Sequence, residues 1–340
     1  MSLHFSKTAN LNKIQEVIRE GCQPLYGLFN REAVGEILSS AVLENTPYRG
    51  GVSKRSLSIR IKPKAEDRGE DLSRIFGLDE EVFGKKYLEA ISGDGQEARR
   101  IRTLHSSSLL CLLCFYGVSE DRPLVIKFDG RVVKFTSSSF EVKLPVEKEE
   151  NGESRPANID VLLAGNDEEM EKPVMLFLES KFSEYLSLGK YEGISNRVYE
   201  KTYSQLCKGR YLNRMGIKFE TNPENPSYSV LSSTNGRTLH YASGIKQMVS
   251  HFLGVKNIAE GEQYKGMDIY LGEILYKFPD PIDKRNLKFQ DYRYLYKILA
   301  EGLNEISDSK LKVVEQCFTY QEVLKSFNLN PSVRLFYSLF

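Results

Sequence analysis

The feature that most constrains this 340-residue chain is a pair of strand-like segments joined by a short acidic loop. The segments are ANIDVLLAG at 157–165 and PVMLFLESKF at 173–182. Two such runs with a polar connection predict an antiparallel hairpin. Because side chains alternate between the two faces of a strand, a slip by one residue would exchange those faces. The apolar pattern therefore selects one register.

The favoured register places Asp160 opposite Glu179 and Leu162 opposite Phe177. It creates one almost wholly apolar face, which is suited to a core and consists of Ile159, Val161, Leu163, Leu176, Leu178 and Ser180. The other face brings together two acids and a base, since Lys181 lies two residues after Glu179. The hairpin is thus predicted to be apolar on one side and charged on the other.

Two carboxylates and a lysine on a half-buried strand pair are costly unless they are compensated. A hard cation would compensate them, with anionic oxygens from Asp160 and Glu179 and a third ligand from the backbone carbonyl of Ser180. Magnesium suits such a site because it prefers oxygen ligands and keeps several waters, and manganese is an alternative. Lys181 would orient or deprotonate an attacking water, or offset charge in the transition state.

This segment resembles the PD-(D/E)XK signature of restriction-endonuclease-like nucleases, including bacterial ones. Asp160 matches the upstream acid, the run from Glu179 to Lys181 matches E-x-K, and Ile159 stands where the signature has proline. The resemblance implies a core of helix, three-stranded antiparallel meander, helix and strand, and magnesium-dependent hydrolysis of phosphodiester bonds. Periodicity over 96–278 gives the same order of elements. We therefore expect an α/β fold with added helices at both ends.

Two other tripeptides match the [DE]-x-K pattern, so the tripeptide alone is weak support. They are Glu141-x-Lys143 and Asp308-x-Lys310, and neither has a partner strand that carries an acid in register. We expect Glu141 to be a solvated partner of Lys143 on a neighbouring strand, and Asp308 to lie at the start of a helix. For the selected hairpin itself, the alternative is a surface hairpin with an ordinary Glu–Lys pair.

Further candidate site residues lie outside the hairpin. Glu97 is a candidate carboxylate from the first helix of the core; the alternative is a helix-start glutamate favoured by the helix dipole. Gln247, on a short helix predicted over 244–254, would reach the site or a phosphate, or would face solvent. A basic arm over 47–64 would contact phosphates or form an edge strand blunted by its charges. Its candidate nucleic-acid-binding residues are Arg49, Lys54, Arg55 and Arg60.

The charge balance is close to neutral, with 47 Lys plus Arg against 46 Asp plus Glu. Attraction to nucleic acid must therefore be local. Five scattered cysteines give no disulfide framework. The N-terminus lacks the apolar stretch of a signal peptide, and the longest apolar run, 109–118, is too short to span a bilayer. We expect a cytoplasmic protein with no membrane partner.

We expect one elaborated domain over 1–340. It would have an N-terminal helical and basic-arm extension (1–90), a nuclease-like core (94–278) with a helical insert (184–240), and C-terminal helices (284–340). The expected substrate is nucleic acid, with double-stranded DNA favoured and a restriction or defence role by analogy only. The alternatives are an inactive nucleic-acid-binding or scaffold protein on the same fold, and an unrelated α/β interaction protein. A homodimer stays open.

Overall fold

A computed structural model of the chain describes residues 37–38, 41, 43–47, 57–63, 68–92, 100–104, 106–146, 156–182, 184–186, 193–195, 197–221, 229–233, 241–278, 283–307 and 310–339. The helices are α1 (Glu70–Phe76), α2 (Glu80–Ile91), α3 (Ser107–Phe115), α4 (Arg197–Lys208), α5 (Tyr211–Arg214), α6 (Tyr241–Ala259), α7 (Asp283–Ile306), α8 (Tyr320–Val323) and α9 (Pro331–Phe336). The strands are β1 (Leu43–Pro47), β2 (Leu57–Ile61), β3 (Leu124–Phe128), β4 (Arg131–Pro145), β5 (Pro156–Asp167), β6 (Pro173–Lys181), β7 (Gly193–Ser195), β8 (Ile217–Thr221), β9 (Ser229–Ser233), β10 (Asp268–Leu275), β11 (Leu311–Val313) and β12 (Phe318–Thr319).

The main sheet is mixed, with the strand order β11-β10-β6-β5-β4-β3 and with β12 also paired to β10. Strands β3 to β6 run antiparallel in succession, whereas β10 is parallel to β6, β11 and β12. The meander therefore has four strands rather than the expected three. The extra strand arises because Asp129 and Gly130, both at positive φ, form a two-residue turn that folds β3 back onto β4.

The predicted register of the β5–β6 hairpin is confirmed. Leu162 pairs with Phe177, and Val161 pairs with Leu178. All six residues predicted for the apolar face are buried; they are Ile159, Val161, Leu163, Leu176, Leu178 and Ser180. Period-2 alternation was therefore sufficient to fix which side of this strand pair faces the core.

Helices cover both faces of the hairpin. Helix α3 lies on the apolar side, where the Ser180 hydroxyl donates to the Ser107 carbonyl at 3.1 Å. The Ser106 side chain begins α3 by accepting a hydrogen bond from the Leu109 amide. Helix α6 lies on the opposite side, where Gln247 reaches Glu179. Glu179 and Lys181 on the charged face are consequently covered by protein, whereas Asp160 stays partly exposed.

The helical pattern that the sequence shows up to Tyr116 is interrupted just before α3. The preceding residues 101–104 form turns, and the reason is Arg102, which is 1% exposed. Its guanidinium makes two hydrogen bonds to Asp71, at 2.8 and 2.9 Å, and a third to the Tyr87 hydroxyl at 2.9 Å. A buried arginine requires such partners, and they hold this segment against α1 and α2.

Several other boundaries differ from the sequence-based predictions. The insert over 184–240 contains a three-stranded sheet, in the order β7-β9-β8, beside α4 and α5, so it is not purely helical. Strand β9 lies in a stretch rich in Asn, Pro and Ser, a composition that is typical of a loop. The C-terminal region holds two short strands as well as helices, and β11 replaces the helix expected around residues 305–314. Short polar strands carry little periodic signal, which explains these misses.

The main sheet is curled so that its two ends approach each other. The Phe128 ring, next to the β3–β4 turn, lies 5.0 Å from the Tyr270 ring on β10. The Lys312 ammonium on β11 lies 2.6 Å from the Asp129 carboxylate in that turn. A cavity of about 940 Å³ separates β3 from the segment 314–326. None of the described helices is both long and apolar enough to cross a membrane.

Candidate active site

Asp160 lies where the backbone pairing of β5 with β6 ends. The last paired residues are Val161 and Leu178. Immediately beyond them, the Ser180 amide donates to Asp160 Oδ2 at 2.7 Å, and the Ser108 hydroxyl is 3.4 Å from Asp160 Oδ1. The carboxylate is therefore fixed at the point where β5, β6 and the start of α3 meet.

Glu179, Lys181 and Gln247 form a closed set of hydrogen bonds. The Lys181 ammonium donates to Glu179 Oε1 at 2.6 Å and to Gln247 Oε1 at 2.7 Å. The Gln247 amide completes the set by donating to Glu179 Oε1 at 2.9 Å. Glu179 and Lys181 are only 4% and 5% exposed, so this ion pair is desolvated. The structure thus brings Gln247 to the predicted acid–lysine pair.

The electrostatics of the two acids differ. Burial alone would raise the pKa of Glu179, but the charge of Lys181 and the nearby imidazole of His251 outweigh it and lower that pKa. Burial and the negative charges of Glu179 and Glu141 instead raise the pKa of Asp160 well above its usual range. Glu179 likewise raises the pKa of Lys181 despite burial. Asp160 is therefore the acid whose negative charge is least compensated.

Glu141 is not the solvated residue that the sequence suggested. It is 7% exposed, and the paired positions on either side of it place it beside Asp160. Its φ of +48° is in the left-handed region, which is uncommon for residues other than glycine. Lys143 is exposed, as expected. The sequence could not have shown this burial, because it depends on a local backbone conformation within β4.

Glu273 on β10, which the sequence did not indicate as a site residue, is in register with Glu179 on β6. Glu273 is completely buried, and burial raises its pKa to about 8 although the charge of Lys181 opposes the rise. The Tyr292 hydroxyl donates to Glu273 Oε2 at 2.9 Å, whereas Oε1 has no hydrogen-bond partner among the described residues. In the sequence, Glu273 stands among the apolar residues of β10, and an acid in such a position is the one indication that it could be buried.

His251 is a second residue that the sequence did not place. Its Nε2 atom lies 2.9 Å from Glu179 Oε2, and the side chain is 3% exposed. It follows Gln247 by four residues, so both side chains project from one face of α6. That helix runs on past Gly254, where the sequence predicted its end.

Other predicted site residues are not brought to this site. Arg60 lies on β2, where it pairs with Glu44 and forms a bridge with Thr103. The remaining candidates lie outside the described residues; they are Glu97, Arg49, Lys54 and Arg55. Their predicted roles therefore stay predictions.

The donor set fits a magnesium-type ion better than a zinc-type ion. In the part of the chain that the structure describes, no group of three or more His, Cys, Asp or Glu side chains could hold a metal ion. Structural and catalytic zinc usually requires three or four such ligands, whereas magnesium is commonly held by one or two carboxylates plus water and phosphate. Asp160 and Glu179 provide two carboxylates, and a cation would compensate the charge of Asp160.

Comparison with protein families gives a match to part of the chain. Residues 79–231 match a protein-family model described as "Restriction Endonuclease associating with ARP". The matched segment covers less than half of the chain, contains Asp160, Glu179 and Lys181, and suggests a restriction-endonuclease-like domain. Neither the curated proteins nor the solved structures gave a match.

Proposed function

We propose that this chain is a metal-dependent nuclease of the PD-(D/E)XK kind, which hydrolyses phosphodiester bonds of double-stranded DNA. The observation that carries the proposal is the buried Glu179–Lys181 pair on the strand next to Asp160. A desolvated lysine–glutamate pair is costly unless it has a function or an exceptional set of partners. The restriction-endonuclease family match over 79–231 supports nuclease chemistry.

In this proposal, Asp160 and Glu179 bind Mg²⁺ or Mn²⁺ through their carboxylates, with the Ser180 carbonyl as a third ligand. When bound, the cation supplies Lewis acidity toward the phosphate and lowers the pKa of a bound water. The Ser180 amide already holds Asp160 in place by donating to Oδ2. The surrounding apolar residues keep the two acids in a medium where their charges interact strongly.

Lys181 supports the reaction as a cation. Its ammonium is held by Glu179 and Gln247, so its position is fixed before substrate arrives. A fixed positive charge at this point would stabilise negative charge that develops on the phosphate oxygens. Gln247 acts as a positioning residue, because its amide bonds to both members of the pair.

The attraction to DNA would come from local basic residues, since the chain as a whole is nearly neutral. Arg60 on β2, together with Arg49, Lys54 and Arg55, is proposed to contact phosphates. These contacts would position the duplex without reading its sequence.

The proposal is tested by measuring DNA cleavage with Mg²⁺ or Mn²⁺ for the wild type, Glu179→Gln and Lys181→Met. The matched control is Lys143→Met, which changes the exposed lysine of the other strand-borne E-x-K tripeptide. We expect the two site variants to lose at least about 100-fold in rate, because each removes a charge that faces the transition state. Lys143→Met should retain wild-type activity.

Two results would contradict the proposal. The first is equal cleavage by the wild type and both site variants, which would show that the activity is a contaminant or lies elsewhere. The second is metal-independent binding of DNA without cleavage, which would favour the inactive DNA-binding alternative. Single-stranded DNA and RNA substrates in the same assay would reveal the substrate class.

A further inference from the structure

His251 faces the one Glu179 oxygen that Lys181 and Gln247 leave untouched. Both of those residues donate to Oε1 of Glu179. The Nε2 atom of His251 lies 2.9 Å from Oε2. Oε1 of Glu179 therefore contacts Lys181 and Gln247, whereas Oε2 faces the imidazole of His251.

The His251 ring is buried and has unused hydrogen-bonding capacity. Its side chain is 3% exposed, and neither ring nitrogen makes a well-directed hydrogen bond with a described residue. The contact with Glu179 Oε2 is short enough for a bond, but the N–H direction is not aligned with it. Because an unsatisfied buried polar group costs about 1–3 kcal/mol, the ring gains by turning its Nε2–H onto Oε2. Nε2 of His251 therefore lies within hydrogen-bonding distance of Glu179 Oε2, and the ring has no other hydrogen-bond partner among the described residues.

We propose that His251 is a positioning residue for the metal-binding carboxylate of Glu179. This inference rests on the proposed function. By donating to Oε2, the imidazole fixes the plane of the carboxylate on the side opposite Lys181. Groups that orient metal ligands in this way typically change metal affinity or activity by about 10- to 100-fold when removed.

A direct ligand role for His251 fits the structure less well. In the described parts of the chain, His251 and the neighbouring acids do not form a group of three that could hold a metal ion. Its nearest acceptor is Glu179 itself, on the oxygen away from Lys181. The geometry therefore favours action through Glu179.

The test is the Mn²⁺ dissociation constant of the full chain, measured by isothermal titration calorimetry without substrate. His251→Leu removes the donor and keeps an apolar side chain of similar bulk, whereas His251→Gln restores an N–H at about the same distance. Ser250→Ala is the control, since Ser250 lies next to His251 on α6 and contacts Tyr199 instead. Circular dichroism melts establish that each variant is folded.

We expect His251→Leu to weaken Mn²⁺ binding by about 10- to 100-fold. His251→Gln should stay within about threefold of the wild type, as should Ser250→Ala. Unchanged affinity in folded His251→Leu would overturn the inference while leaving the proposed function intact. Equal losses in folded Leu and Gln variants would also overturn it, because packing rather than donation would then be responsible.

Two further outcomes are informative. If His251→Leu does not fold, His251→Gln carries the test, and a loss above about tenfold in the folded Gln variant would refute the positioning role. If the wild type itself binds no Mn²⁺, the proposed function fails, and the positioning role fails with it. Cleavage rates are not needed for either decision.

Discussion

Glu273 is a buried acid that interacts electrostatically with Lys181 but is not one of the three predicted residues Asp160, Glu179 and Lys181. The residue lies on β10 in register with Glu179, and it is buried; among the described residues, the Tyr292 hydroxyl is its one hydrogen-bond donor. Its pKa is raised from 4.5 to about 8 by burial. The native state therefore holds a proton on this carboxyl at pH values where the unfolded chain does not.

The consequence is a pH-dependent stability. Between about pH 4.5 and about pH 8 the native state binds more protons at Glu273 than the unfolded state does, so the free energy of unfolding falls as pH rises. Glu273→Gln removes this titration and keeps a hydrogen-bonding side chain. We expect the variant to gain stability relative to the wild type as pH rises through that range, in urea unfolding followed by circular dichroism.

Glu89→Gln on α2 is the control, because its carboxylate is partly exposed and is paired with Lys86. It should not reproduce the pH-dependent gain in stability of Glu273→Gln. A constant stability difference between Glu273→Gln and the wild type from pH 5 to pH 8 would show that Glu273 is not protonated in the native state.

The residue scale also shows where the sequence was sufficient. The register that places Asp160, Glu179 and Lys181 on one strand pair could be predicted, because strand alternation and one apolar face allow a single register. Glu141 could not be placed, because its burial depends on a backbone φ of +48° that no pattern encodes. His251 required knowledge of how α6 crosses the sheet, which depends on packing between distant segments.

At the scale of elements, Gly254 determines how closely α6 approaches β4. A Cβ atom at Gly254 would lie 2.5 Å from Leu144 Cβ, and Leu144 is completely buried. The glycine lies inside the helix, where it lowers helix propensity, so a packing reason explains its presence better than a helix end does. Close packing here also sets the position of Gln247 and His251 on the same helix.

Gly254→Ala should therefore destabilise the protein. The gain in helix propensity, about 1 kcal/mol, is smaller than the cost of overpacking, about 1–3 kcal/mol, because Leu144 backbone atoms also lie within 3.4 Å of the added methyl. We expect a net loss of unfolding free energy, measured by urea denaturation at neutral pH. Mn²⁺ affinity should fall as well, because α6 carries Gln247.

Gly84→Ala on α2 is the matched control. Among the described residues, a Cβ atom at Gly84 meets just the Arg68 carbonyl oxygen, at an ordinary distance of 3.5 Å. This variant should be more stable than the wild type by about 0.5–1 kcal/mol. Equal effects of the two substitutions would contradict the packing explanation for Gly254.

Some of the helices and strands could be predicted from the sequence and others could not, for physical reasons. Strands β3 to β6 and β10 are rich in buried apolar residues, so their periodicity is visible in the sequence. Strands β8 and β9 are short and lie in a polar region, so no pattern separated them from a loop. The turns at 101–104 could not be predicted, because they depend on the contact between Arg102 and the distant Asp71.

At the scale of the whole molecule, the site depends on segments that are far apart in the sequence. Strand β10 pairs with β6 along its full length, from Asp268 opposite Val174 to Leu275 opposite Lys181. Arg131 at the start of β4 and Lys172 before β6 both form ion pairs with Asp268. The meander and the C-terminal strands therefore form one curled sheet around a shared core.

This dependence predicts the behaviour of the family-matched segment alone. A fragment of residues 79–231 lacks α6 and β10, so it would expose the second edge of β6 and part of its buried apolar surface. We expect no cooperative thermal unfolding of the fragment by circular dichroism, whereas the full chain should unfold cooperatively. A sharp transition in the fragment would show that the segment is an independent domain.

The central claim is that the carboxylates of Asp160 and Glu179 share a divalent cation. The most direct measurement is an anomalous difference map from crystals of the full chain grown with saturating Mn²⁺. The proposal predicts one strong peak in contact with both carboxylates, and the loss of that peak in Glu179→Gln crystals. A map with no peak at these residues, or with a peak only elsewhere, would contradict it.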